Sequence, residues 1–560
     1  MTASTTEIPE LAGVEPHGDW EPTPWLAAEA HPLLRSRNFY IALTVISLAL
    51  GGLSLLFPST PSYDPWSWTD WSRGIIHLNF HLNQYGTSWK PLPMIATIPA
   101  ALFGHAAPDI WLVVARAGTL AGAVMVFRLG YRLTRQIAES YEALSGSRVL
   151  TIAPALLAGL IGAIALVFTG TEFYLSSNAL GYSEGLATAL MLVAIERHLD
   201  GKPRQAFVVG FFVALDRPEV WVFWGLYGLW LFWRDRGFRV TIVVLAVLQP
   251  ILWFLPVYWG SGHFGSSVER ATNPRANSLA YAKFPFWAEL KQEAWRTMLL
   301  RIKLLAVLLV LCLTAVLWRG HRREGSWRAA LAVPRTRALV AAAVCGFGGV
   351  AWFVIIAIET QAHFSGNSRY LVLGDALVDI CGAVGFGWLA IVLAAAGVRL
   401  VRRASASAAV GFMMGACALV AAIFVFAPNF IGNKLISLPA THGSLNYQAQ
   451  LRTGMQKLIA QYGGPKRVLA CGHVMTEGFQ VPMVAYYLNT RTAYIGAPPA
   501  AGDPPGPAPN VILQTRDTRS ASLLPYLSWW PHVHYHYVAS SGPVHMFTNC
   551  LPSSSSSSSS

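Results

Sequence analysis

Long apolar runs alternate with short polar breaks over most of the chain. The runs cover residues 39–57, 109–130, 150–169, 184–197, 204–216, 218–233, 239–259, 299–318, 338–358, 370–398 and 407–428. A helix rises about 1.5 Å per residue and a bilayer core is about 30 Å thick, so roughly 20 apolar residues cross it. The pattern predicts an α-helical polytopic membrane protein with about eleven transmembrane helices. The run from Pro91 to Gly104 is too short to span, and reads as a helix lying at or dipping into the outer interface. The runs on either side of Asp216-Arg217-Pro218-Glu219 are also short, as for half-length helices meeting at a charged turn that protein or a cavity must shelter.

After Pro428 the period changes. RVLACGHV, TAYIG, NVILQT and VHYHYVASS read as strands, with helical stretches around 446–462 and 475–488, which predicts a small α/β unit. APPAAGDPPGPAP is a loop and the closing serine run a disordered tail. The expected organisation is a cytoplasmic segment 1–37, a membrane domain 38–428 with an outer loop at 58–108, an extracytoplasmic domain 429–552 and a serine tail 553–560.

Composition supports membrane as the solvent. Of 560 residues, 54% are hydrophobic and 12% charged, about half the charged share of an ordinary soluble domain. The net charge of +13 comes from short Lys/Arg clusters between apolar runs, which act as orientation signals. Placing Arg35/Arg37, Arg128/Arg132/Arg135, Arg197/Lys202/Arg204, Arg234/Arg236/Arg239, the cluster from Arg319 to Arg337, and Arg399/Arg402/Arg403 all in the cytoplasm demands an even number of crossings between them. The runs satisfy this, with the N-terminus inside and everything after Pro428 outside. The first run follows a polar segment and reads as an uncleaved span rather than a signal peptide. No basic groove with interleaved aromatics suggests nucleic acid. Cys312, Cys345, Cys381 and Cys417 lie in apolar runs as small hydrophobes. Cys471 and Cys550 lie in the C-terminal domain, where an extracytoplasmic compartment permits a disulfide. There is no CxxC and no Gly-rich phosphate loop before a helix. His532, His534 and His536 alternate along one strand face and read as solvent-facing.

Ionisable groups at membrane depth cost roughly 2.5–3.5 kcal/mol on insertion scales, so each one calls for a reason. Asp64 and Asp70 sit in YDPWSWTDW after the first run, Lys90 in SWKPLPM, and Arg116 inside the second run. Glu172 and Glu184 flank the second outer loop, Arg217 and Glu219 occupy the charged turn, and His363, Arg369 and Tyr370 close the loop before the tenth run. All but Arg116 fall at outer ends of spans. Structural readings compete with a site: Arg217 and Glu219 neutralising one another, Arg116 pairing with Asp375 or Asp379, and the tryptophans near Asp64 forming an interfacial belt. Gathered at one membrane face, these carboxylates and cations suggest a pocket for an anionic, membrane-embedded ligand.

One string of residues resembles the C-type glycosyltransferase superfamily, especially protein mannosyltransferases and aminoarabinose transferases. It runs from Asp64 through Lys90-Pro91-Leu92 and Leu102-Phe103-Gly104 to Arg116 and Arg128-Leu-Gly-Tyr-Arg132. The resemblance implies transfer of a sugar from a polyprenyl-phosphate-linked donor to a glycan, lipid or protein acceptor outside the cytoplasm of a bacterial plasma membrane, with inversion. It implies a general base at Asp64 or Asp70, and donor-phosphate contacts from Lys90, Arg369, Arg116 and Arg217. Many relatives carry paired acids in the first loop, whereas Pro65 follows Asp64 here. Some relatives hold a divalent metal near that carboxylate, and Glu172 or Glu184 is placed to complete such a site; metal dependence stays open. The competing expectation is a transporter or flippase of lipid-linked sugars, disfavoured because only one broken helix pair is legible.

Overall fold

The computed structural model describes residues 22–29, 31–82, 86–144, 147–169, 174–274, 278–296, 300–400, 428–499 and 503–550. Glu172, the eleventh expected span at 407–428 apart from its last residue, most of the N-terminal segment and the serine tail lie outside them. The protein is a helical membrane domain carrying a small α/β unit at one end. Among the described residues, seven helices are long and apolar enough to cross a bilayer. They are α1 (Ser36–Leu53, extended to Leu56 by a tight turn), α4 (Ala107–Glu139), α5 (Arg148–Thr169), α9 (Arg239–Ser261), α10 (Leu300–Glu324), α11 (Pro334–Gln361) and α12 (Val372–Leu400).

Between them lie shorter helices: α2 (Tyr63–Ile76), α3 (Pro91–Ala101), α6 (Glu184–Leu199), α7 (Pro203–Ala214) and α8 (Val220–Arg234). The last three are the expected spans 184–197, 204–216 and 218–233. At 16, 12 and 15 residues they rise roughly 18–24 Å, short of a full crossing. The turn between α7 and α8 is sheltered as its charges require, with Asp216 wholly buried and Arg217 3% exposed. Helix α3 is also too short to cross, and Ile95, Leu102 and Phe103 give it an exposed apolar edge.

Burial identifies the centre. In α12, 78% of the apolar window is enclosed by protein, against 11% in α1. Helices α4, α5, α10 and α11 pack around α12, and α6 lies along α4. Glycines set that last approach: a Cβ on Gly118 would stand 2.6 Å from Leu186 Cα, and one on Gly185 would stand 2.8 Å from Thr119 Cα. Small residues therefore let α4 and α6 meet backbone to backbone.

At the far end of α6, Glu196 accepts from Arg128 at 2.7 Å and from Arg132 of α4, while Arg132 also reaches Asp200 at 2.8 Å. The N-terminal segment straps across this end: Trp25 and Leu26 donate to the Leu199 carbonyl, and Glu29 pairs with Arg132 and Arg135. Arg128 and Arg132 are thus more than orientation signals; they are buried in an ion-pair network.

The C-terminal unit begins with α13 (Pro428–Gln461), followed by α14 (Pro465–Cys471) and α15 (Val481–Tyr487). Its sheet contains β1 (Val474–Thr476), β2 (Ile495–Gly496), β3 (Val511–Gln514), β4 (His536–Ser541) and β5 (Val544–Thr548) in the order β2-β1-β3-β5-β4. The pairs β1/β2 and β1/β3 are parallel; β3/β5 and β4/β5 are antiparallel. RVLACGHV was expected as one strand, yet most of it is helix. Gly463 and Gly464 sit at positive φ, Pro465 opens α14 in a first-turn position, and Gly472 at φ +124° ends it before β1. VHMFT, unread in the sequence, forms β5. Cys471 and Cys550 form a disulfide with Cα atoms 5.9 Å apart. His532, His534 and His536 are exposed, only His536 lying in β4.

Removing Glu196 takes from Arg128 its only ion-pair partner among the described residues and one of three from Arg132. Glu196→Ala is expected to cost about 3–5 kcal/mol, and Glu139→Ala, which breaks an exposed pair with Arg135, less than about 1 kcal/mol. Thermal unfolding of the detergent-solubilised chain measures both; equal losses would contradict the buried-network account.

Candidate functional site

Five separate segments deliver charged groups to one buried cluster. Asp64 sits in the first turn of α2, where the helix N-terminus favours a carboxylate. Lys90 precedes Pro91 and is extended, at φ −139° and ψ 115°, as the proline ring demands. Glu184 opens α6, brought close by the glycine contacts to α4. Asp216, Arg217 and Glu219 come from the turn between α7 and α8, and Arg369 from the tight turn Ser368–Leu371 ahead of α12. The Asn367 side chain braces that turn by accepting from the Arg369 amide at 3.2 Å.

Glu184 is the hub. One of its oxygens, Oε1, accepts from Arg217 and stands 3.8 Å from both Lys90 Nζ and Arg369 Nε. Arg369 Nη2 reaches Asp64 Oδ2 at 2.7 Å. Lys90 Nζ also lies 3.3 Å from Ser183 Oγ and 3.9 Å from Asp216. Arg217 pairs with Glu219 at 3.5 Å and lies over the Tyr370 ring at 4.2 Å; Arg369 lies over Tyr182 at 3.9 Å. Glu184 is 1% exposed and Asp64 5%. In so dry a setting an unmatched charge costs several kcal/mol, so mutual neutralisation is what makes the cluster tenable. It is incompletely neutralised at the level of hydrogen bonds: Arg369 Nε and Nη1, both Asp216 oxygens, Glu184 Oε2 and Glu219 Oε2 have no hydrogen-bond partner among the described residues. Buried polar atoms left this way are rare in folded proteins.

No family model and no curated protein matches this chain. Among solved structures it aligns with ArnT from Cupriavidus metallidurans, determined bound to undecaprenyl phosphate and in the apo state. Each alignment has 14% identity and a TM-score of 0.47, covering 92% of this chain and 98% of the other.

The structure thus brings together Asp64, Lys90, Glu184, Arg217, Glu219, Arg369 and Tyr370 from the sequence-derived set. It adds Tyr182 and Ser183, whose only sequence signal was adjacency to Glu184, and Asp216, which the sequence showed only as part of the sheltered charged turn. It leaves others apart. Arg116 is spent on the Ala179 carbonyl, at 2.8 and 3.0 Å, and on Ser54 Oγ at 2.8 Å, so it ties α1 to the loop before α6 rather than pairing with Asp375 or Asp379. His363 is exposed at φ 69°, against Tyr281. Asp70 lies on α2 beside Arg73, facing the C-terminal unit. The tryptophans do not form an interfacial belt. Trp66, Trp68 and Trp71 are at most 2% exposed; Trp66 packs into the C-terminal core and Trp68 against Trp111. Among the described residues no three His, Cys, Asp or Glu side chains form a group able to hold a metal ion.

The C-terminal unit holds both α2 and the start of α4. Arg73 donates to the Tyr486 and Thr490 carbonyls at 2.6 and 3.1 Å, Arg452 of α13 forks onto Asp109 at 2.6 and 3.1 Å, and Tyr486 Oη donates to the Gly104 carbonyl at 2.9 Å.

Burial pushes the Asp70 carboxyl up to about 7, against the opposing pull of Arg73. The folded protein therefore holds a proton that the unfolded chain releases near pH 3.9, and stability falls as pH rises from about 4 to about 7. Asp70→Asn is expected to remove that part of the slope, gaining on the wild type at pH 8 and matching it near pH 4. Parallel pH–stability curves for the two proteins would refute the assignment.

Proposed function

We propose that this protein is a glycosyltransferase that moves a sugar from a polyprenyl-phosphate donor to an acceptor hydroxyl on the face carrying the α/β unit. The observation that carries the reading is the convergence of Lys90, Arg217 and Arg369 on Glu184, with Asp64 joined to them through Arg369 at 2.7 Å. The first-loop string that resembles C-type glycosyltransferases supports the same reading. Lys90, Arg217 and Arg369 supply a cationic cradle for a phosphate diester. Asp64 is the only carboxylate of the cluster on α2, and its sole ion-pair partner among the described residues is a cradle cation.

The step follows from those positions. The acceptor oxygen attacks the anomeric carbon from the side opposite the phosphate, and Asp64 takes the hydroxyl proton as the new C–O bond forms. The old bond between anomeric carbon and phosphate oxygen breaks, its electron pair leaves with the polyprenyl phosphate, and the cations stabilise the charge that develops there. Arg369 couples the two halves. When the donor phosphate draws on its guanidinium, part of the contact that holds Asp64 is released. Asp70 takes no part in this step.

Asp64→Ala is expected to lower transfer from a lipid-linked donor by about 10²–10⁴-fold in a reconstituted assay, and Asp64→Asn to do nearly the same. Lys90→Ala is expected to raise the donor KM and lower kcat together, because its charge meets the phosphate in the ground state and the added charge in the transition state. Wild-type-like turnover in Asp64→Ala would sink the base assignment. The transporter or flippase reading is separated in the same vesicles: it requires movement of lipid-linked sugar across the bilayer without any acceptor, undiminished by Asp64→Ala.

A further inference from the structure

A cavity of about 560 Å³ lies away from the charged cluster, where the end of α2 and the loop after it meet the C-terminal unit. That volume falls within the range of about 300–1,000 Å³ typical of small-molecule sites. Asp70 and Arg73 line one side, Trp71 and Tyr494 contribute aromatic surface, and His77, Asn79 and Arg491 stand at the rim. The lining is mostly polar, unlike the apolar groove expected of a lipid site.

Two features make the cavity a rigid receptacle. Arg73 bridges it from below, holding Asp70 on its own helix and two carbonyls of the C-terminal unit. Arg491 closes it from the side by donating to Asn79. Each flanking loop also carries a non-glycine residue in the left-handed region, Leu78 and Asn489, both at φ 53°. Both cap helix C-termini: the Asn79 amide donates back to the Gly74 carbonyl and the Thr490 amide to the Ala485 carbonyl, which fixes where α2 and α15 end and the two loops begin.

The chemistry of the lining selects the ligand. Planar amides, imidazole and guanidinium groups match the alternating donors and acceptors of sugar hydroxyls, and the exposed ring of Tyr494 suits the apolar face of a pyranose. Two guanidinium groups face a single carboxyl group, and Asp70, pushed up to about 7, carries only part of its charge at neutral pH. The balance favours an anion. Asp64 and Asp70 are six residues apart on α2, about 9 Å of helix rise, a distance a short oligosaccharide covers.

We propose that this cavity binds a saccharide unit bearing a phosphate or carboxylate group, as a recognition subsite for the acceptor. The assignment as an acceptor subsite rests on the transferase reading; binding itself does not. The test is calorimetry or saturation-transfer NMR on the full chain in detergent, with mannose 6-phosphate, glucose 6-phosphate, glucuronate, mannose and inorganic phosphate as probes. At least one of the three anionic sugars is expected to bind saturably and more tightly than mannose or inorganic phosphate. Arg491→Gln and Tyr494→Ala, both at the rim, are each expected to weaken it about tenfold or more, a difference of about 1.4 kcal/mol, with thermal unfolding unchanged. Asp64→Ala is expected to bind like the wild type. Failure of all three anionic sugars, binding that survives both rim substitutions, or inorganic phosphate binding as tightly as the sugars would each overturn the proposal. Because no donor is present, these outcomes are independent of whether Asp64 supports transfer.

Discussion

One carboxylate organises the functional end of this protein. Glu184 is 1% exposed and stands within ion-pairing range of Lys90, Arg217 and Arg369. Those cations arrive from α3's entry, the α7–α8 turn and the approach to α12. Burying any of them alone would cost several kcal/mol, and burying them together around a shared anion offsets most of that cost. The arrangement is therefore cooperative: each segment is tolerable in its place because the others are there. The close approach of Gly118 and Gly185 brings α6 into the position that the cluster needs.

The two ends of α6 illustrate the same physics used differently. At one end Glu196 binds two guanidinium groups with short direct contacts, and the N-terminal strap adds Glu29 to the network. That is a fastening. At the other end the contacts to Glu184 from Lys90 and Arg369 are 3.8 Å, and several donor and acceptor atoms have no hydrogen-bond partner among the described residues. A looser cluster with spare hydrogen-bonding capacity can exchange partners when an anionic ligand enters, which a saturated one cannot do cheaply.

The α/β unit extends this logic beyond the membrane domain. Trp66 of α2 belongs to its hydrophobic core, and Arg73 and Arg452 tie the two parts together. Helix α2 is consequently buried without a break from Asp64 to Ser72, and the carboxylate in its first turn is held by packing along the whole helix. A loop would hold it less firmly.

Much of this was legible in the chain itself. Apolar run lengths marked the helical membrane class and, among the described residues, seven helices long enough to cross, because hydrocarbon thickness imposes a minimum length. The cost of charge in such runs singled out Asp64, Lys90, Glu184, Arg217 and Arg369 one at a time. The sequence could not separate them from Arg116 or Asp70, since cost alone does not say whether a charge meets a backbone carbonyl, a neighbour on its own helix or a distant ion. Nor could alternation distinguish strand from helix in RVLACGHV, where Gly464, Pro465 and Gly472 decided the boundaries. Only tertiary structure decided which charges share a space. Ion pairs such as Asp64 with Arg369, 305 positions apart, are fixed by how helices pack, and the packing is set by contacts that no local pattern records.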